Sequence, residues 1–168
     1  FFQFIRMLKL LSIIFLSLVL ALSFNIRNTY AEDNSLLISG ILNSAENFFM
    51  SLKSGDYRTS WRLLSQRSRE TIVNDVYQTS KKMGVNITSQ EIKSDFEKSG
   101  MISNSYWKAA FHDTFDPDII IKESKWEMGV INKNRAEIII THIKARHPAP
   151  AHLKVLKEYD EWRVGLVE

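Results

Sequence analysis

Residues 46–65 read ENFFMSLKSGDYRTSWRLLS, an aliphatic-aromatic helix that stops at Lys-Ser-Gly-Asp and restarts at once with Tyr and Trp. Leading into it, Ile38, Ile41, Leu42, Ala45, Phe48, Phe49 and Leu52 recur at spacings of three and four. That spacing predicts a helix from about Ser35 to Lys53 with one broad apolar stripe. Gly55 supplies the left-handed residue that ends a helix. Asp56 supplies a carboxylate for the first free N–H groups of the next one. Tyr57, Trp61 and Leu64 then follow at i, i+4 and i+7, so the second helix turns an aromatic face back onto the first. Gly55-Asp56 is read as a hinge between two packed helices, and Asp56 as a cap rather than a catalytic acid.

Further helices come next. Ser65 opens one carrying Ile72, Val73, Val76 and Tyr77 and ending near Gly84. Thr88-Ser89-Gln90-Glu91 is a capping box, with Ile87 and Ile92 at the staple positions. The helix it opens turns Ile92 and Phe96 inward and is expected to stop at Gly100. A short helical piece is expected from Ser105 to Phe111. After Asp116-Pro117 the period drops towards two, so residues 118–130, 134–146 and 151–167 read as strands. Asn132-Lys133-Asn134 and Tyr159-Asp160-Glu161 mark turns, and Pro148-Ala149-Pro150 a loop. Helices followed by an antiparallel meander predict an α+β domain with helices on one sheet face.

The first 31 residues differ in composition. Leu10 to Phe24 is an apolar run broken only by three serines, preceded by Arg6 and Lys9 and followed by Thr29-Tyr30-Ala31. This is the layout of a secretory signal peptide over residues 1–31, with Met7 as the natural start. The run falls short of the roughly 20 apolar residues of a permanent span. Export to the periplasm or medium is therefore expected, and an uncleaved N-terminal anchor is the alternative. The chain carries 22 basic and 19 acidic residues. Arg6, Lys9 and Arg27 lie in the leader, so residues 32–168, expected as one domain, balance at 19 of each. No clustered basic footprint for nucleic acid remains. The absence of cysteine excludes disulfides, a zinc ribbon and a thiol nucleophile.

The segment Ala45-x-x-Phe48-Phe49-x-x-Leu52-Lys53-Ser54-Gly55-Asp56-Tyr57-x-x-x-Trp61-x-x-Leu64-Ser65, with the closing Glu161-Trp162-Arg163-Val164, resembles the nuclear-transport-factor-2-like superfamily. That superfamily includes SnoaL-like proteins and ketosteroid isomerases, and the chain is similar in particular to its secreted bacterial members. The resemblance covers Leu36 to Val167 and implies a cone-shaped α+β fold with a pocket between helices and sheet. It departs at the last turn, where the common Asp-Gly is Asp160-Glu161. A superfold of this kind hosts enzymes, carriers and assembly modules alike.

On the second long strand Ala136, Ile138, Ile140 and His142 share one face. This places Ile140 and His142 at the expected pocket, with His142 a weak candidate for a general base. Tyr57, Trp61, Trp107, Phe111 and Trp126 are the aromatic candidates for its lining, although aromatic stripes are more often plain core. Catalytic members resembling ketosteroid isomerase use an Asp base with a Tyr and a protonated Asp in an apolar pocket. Tyr57, Asp113 and Asp116 have the right chemistry but no alignable arrangement. His147 and His152 flank a Pro-Ala-Pro-Ala stretch without further metal ligands, and residues 112–118 lack the calcium-loop spacing. Asn86-Ile87-Thr88 is formally a glycosylation sequon, with Thr88 already accounted for as a cap. The expectation is a non-enzymatic module without cofactor or metal. It would bind a small apolar ligand or an envelope partner, the partner version including a homodimer through the exposed sheet face. A cofactor-free isomerase or cyclase with His142 as base is the alternative.

Overall fold

A computed structural model describes residues 34–114, 116–144 and 149–166, apart from the side chains of residues 110–114. The leader and its cleavage site lie outside the described residues, as do residues 145–148. Among the described residues no helix is long and apolar enough to cross a membrane. The chain divides into two units, Phe1–Ser39 and Gly40–Glu168. In the first, residues 34–39 are helical. All the other described elements belong to the second.

Helix α1, residues 40–54, buries Ile41, Ala45, Phe48, Phe49 and Leu52, the stripe the spacing predicts. It ends where Gly55 takes φ 74°. The Asp56 N–H reaches back to the Ser51 carbonyl at 2.9 Å and the Gly55 N–H to that of Leu52 at 3.1 Å. This paired closure needs a left-handed residue at Gly55. The Asp56 carboxylate then accepts from the Thr59 N–H at 3.1 Å and starts α2, Tyr57–Leu63. The buried hydroxyls of Ser51 and Ser60 meet at 2.7 Å, which joins the two helices inside the hinge.

Helix α3, Gln66–Lys82, starts at Ser65, whose hydroxyl accepts from the Ser68 N–H. The same serine pair ties the helix to the sheet: Ser65 N–H donates to the Val164 carbonyl at 2.8 Å, and Leu166 N–H to Ser68 Oγ at 2.9 Å. The capping box opens α4, Ser89–Lys98, with both reciprocal bonds made between Thr88 and Glu91. Its stop is one residue earlier than expected. Ser99, not Gly100, adopts the left-handed conformation, at φ 54°. Gly100 is required for another reason: a Cβ there would lie 2.1 Å from an oxygen of Asp95. That carboxylate folds over Gly100 to accept from the Ser103 N–H at 2.7 Å, capping the next helix.

Two further expectations are corrected by the structure. The piece expected at Ser105–Phe111 is a full helix, α5, Met101–Thr114. The strand expected from residue 118 is preceded by helix α6, Pro117–Lys122. Asp116 caps it and Pro117 fills the first turn, where a missing N–H is harmless; these local signals override the β-branched run Ile119-Ile120-Ile121. Strands β1 (Ser124–Asn132), β2 (Arg135–His142), β3 (Ala151–Glu158) and β4 (Glu161–Gly165) then form one antiparallel meander in sequence order. The α+β order of helices first and sheet second is therefore as the sequence predicts.

On the inner face, Trp126 opposes Ile140, Met128 opposes Ile138, and Ala136 lies level with Val155 and Val164. Ile138, Val155 and Val164 are fully buried, and each side chain of this size contributes roughly 1.5–3 kcal/mol by burial. The outer face carries Lys125, Glu127, Glu137, His152 and Lys154, mostly exposed. A bulge interrupts β1 between Met128 and Ile131. The last turn is Tyr159-Asp160, both at positive φ, with Glu161 already in β4. Two left-handed residues suit the twist of a two-residue hairpin, a conformation that Asn-Gly adopts with less strain.

Candidate functional site

The aromatic candidates form two groups. Tyr57 stacks on Trp107, with ring centroids 6.3 Å apart and planes at 20°. Trp61 lies against Phe96 at 4.5 Å, and Phe96 in turn meets Tyr106 and Trp107 edge-on at 5.4 and 6.4 Å. Trp61 and Trp107 are 2% and 1% exposed, so most of both rings is core. Burial raises the Tyr106 hydroxyl pKa, with Asp75 adding to the effect. In the second group Trp126 touches Phe49 at 5.8 Å and donates from Nε1 to the Ile120 carbonyl at 3.0 Å. Ile140 is its cross-strand partner. Phe111 lies in α5, and its side chain is outside the described residues.

His142 sits on the inner face at the end of β2, opposite Ser124. Its Nε2 is 3.5 Å from Glu123 Oε2. That is within ion-pair reach but makes no hydrogen bond, and Nε2 is closed to water. The other Glu123 oxygen accepts from Lys144 at 2.9 Å. Lys144 first and His142 second hold the Glu123 pKa below its usual value. The outer-face His152 pairs with Glu137 at 2.9 Å, and His147 lies outside the described residues. Among the described residues no group of three His, Asp or Glu is placed to hold a metal.

Three clefts bear on function. One, of about 530 Å³, lies between α3, α4 and the β3–β4 turn. Trp61 and Val73 form its apolar part; Arg69, Glu70, Lys93 and Glu97 are its charged residues, and Tyr159 stands at its edge, 91% exposed. Arg69 is half-buried, whereas Lys93, Glu70 and Glu97 are exposed. Gln66 donates to Glu70 at 2.8 Å. A second cleft, of about 250 Å³, lies at the end of α1 and includes Tyr57, Trp107, Lys53 and Asp118. There Asp118 bonds Lys53 at 2.7 Å and Lys122 at 2.9 Å. These contacts, Lys53 first, lower its pKa to about 2. The third, about 260 Å³, is a depression on the outer sheet face beside Val130, Arg135 and Leu156.

Sequence reasoning therefore names Trp61 of the first cleft, and Tyr57 and Trp107 of the second. His142, Ile140 and Trp126 line none of the three. It does not name Arg69, Val73, Lys93 or Glu97. A usable signal exists: Gln66, Arg69/Glu70 and Val73/Asn74 on α3, and Ser89, Lys93 and Glu97 on α4, each keep to one helical stripe. Comparison with family models, with curated proteins and with solved structures finds no match for this chain.

Proposed function

We propose that this chain is an exported, non-enzymatic binding module that takes a small, largely apolar ligand in the cleft between α3 and α4. The observation that carries the reading is that cleft: about 530 Å³, with Val73, the buried Trp61 and the exposed Tyr159 set among polar and charged residues of α3 and α4. Its volume falls within the roughly 300–1,000 Å³ that ligand sites span. The order of helices and then an antiparallel meander supports placing the protein with the cone-shaped nuclear-transport-factor-2-like proteins. The signal-like leader supports export. A partner protein or a second copy at the outer sheet face is the companion reading, supported by Val130, 65% exposed, beside the outer depression.

Calorimetric titration of the full chain with 1-decanol tests the binding reading. Saturable binding that is lost when Val73→Trp fills the cleft is the expected result. No saturable binding, or binding indifferent to Val73→Trp, contradicts it. The rival isomerase or cyclase draws on the carboxylate of Glu123 3.5 Å from His142 Nε2, a partner that would orient an imidazole base. Turnover on a ketone or ester library that vanishes in His142→Gln while decanol still binds would put the enzyme reading in its place.

A further inference from the structure

We infer that the ligand of the α3–α4 cleft carries a carboxylate, received by Arg69, at one end of an apolar chain lying along Val73 and Trp61. The inference rests on the binding reading of that cleft and adds the chemical class.

The cleft as a whole is neutral, with Arg69 and Lys93 against Glu70 and Glu97. Depth decides the local potential. Lys93, Glu70 and Glu97 are exposed, where water and salt screen them. Arg69 is half-buried and has no ion pair or side-chain hydrogen bond among the described residues. A guanidinium presents five donors in a fixed fork, and a carboxylate is the group that fills two of them together. Glu70 is the adjacent residue on the helix and is already engaged by Gln66, so it does not satisfy that fork. Glu97, from α4, is the remaining acid of the lining and a competitor for Arg69; Glu158, outside the lining, accepts from the Gln66 N–H at the start of α3. The other clustered charges, Lys53–Asp118–Lys122 and His142–Glu123–Lys144, are already paired among themselves.

The probes are decanoate, 1-decanol and decylamine, titrated below their micellar concentrations into the full chain. Val73→Trp and the exposed-site filler Asn74→Trp serve as references for uptake elsewhere. Decanoate is expected to bind at least tenfold more tightly than decanol, and decylamine more weakly than either. Arg69→Gln should bring decanoate to the level of decanol and leave decanol unchanged, and Glu97→Gln should tighten decanoate. Both fillers should abolish binding of decanoate and decanol. Equal affinity for decanoate and decanol, or an Arg69→Gln variant that binds decanoate as before, overturns the carboxylate inference while the cleft reading stands. Binding of neither compound, or binding that survives either filler, overturns the cleft reading and the inference together.

Discussion

The α3–α4 cleft and the cleft at the end of α1 use the same materials, a buried tryptophan beneath charged residues, and handle the charges differently. Beside Trp107, Lys53 and Lys122 converge on Asp118, and Asp116 accepts from the Asp118 N–H at 2.8 Å. Of these, the Lys53–Asp118 pair joins α6 to α1. Beside Trp61, Arg69, Lys93 and Glu97 make no ion pairs among the described residues. Composition alone does not separate a clamp from a site. What separates them is whether the charges already have partners in the folded chain.

The largest expected effect removes what the two clefts share. Phe96 touches both Trp61 and Trp107 and is fully buried. Phe96→Ala should cost about 3–5 kcal/mol in urea unfolding, the usual loss for a truncated core aromatic. A cost below about 1 kcal/mol would mean that the two aromatic floors are independent. A smaller effect is expected on the clamp side. Asp56→Ala deletes the α2 cap beside Gly55 and Tyr57 and should cost about 1 kcal/mol. Decanol binding should be unchanged; losing it at unchanged stability would give Asp56 a role in binding.

The smallest effect is a matter of pH. The folded pKa of Asp118, about 2, lies below the ordinary 3.8, so its ion pairs contribute fully above about pH 4. Their contribution disappears as pH falls towards 2, and being exposed it is weakened by salt. Thermal unfolding from pH 5 to pH 2 should therefore show wild type and Asp118→Asn converging at the acid end, and converging earlier in high salt. A constant gap down to pH 2 would show that the substitution acts through something other than this charge.

Much of the fold is written locally. Gly55, Asp56, Ser65 and the Thr88–Glu91 box act within four residues, and each works as its sequence predicts. Other features depend on what the chain meets. Gly100 looks like a helix stop, yet it is needed to make room for Asp95, while Ser99 bears the left-handed strain. The length of α5 is hidden because Met101, Ser103 and Asn104 give its first turn no apolar period. Helix α6 is hidden because three isoleucines in a row fit either period. The candidate site is less legible still. Arg69, Lys93 and Glu97 look like solvated helix positions until α3 and α4 are set side by side. Alternation alone places His142 on the strand face of Ile138 and Ile140, but it says nothing of Glu123 beside it.

Entry of ligand between α3 and α4, and not at the clamp, is open to hydrogen–deuterium exchange of the full chain with and without saturating 1-decanol. Slowed exchange confined to residues 66–74, 89–97 and the Tyr159-Asp160 turn, the walls of the larger cleft, is the predicted result. Slowed exchange over residues 52–57 and 116–118 instead, or unchanged exchange throughout, would contradict it.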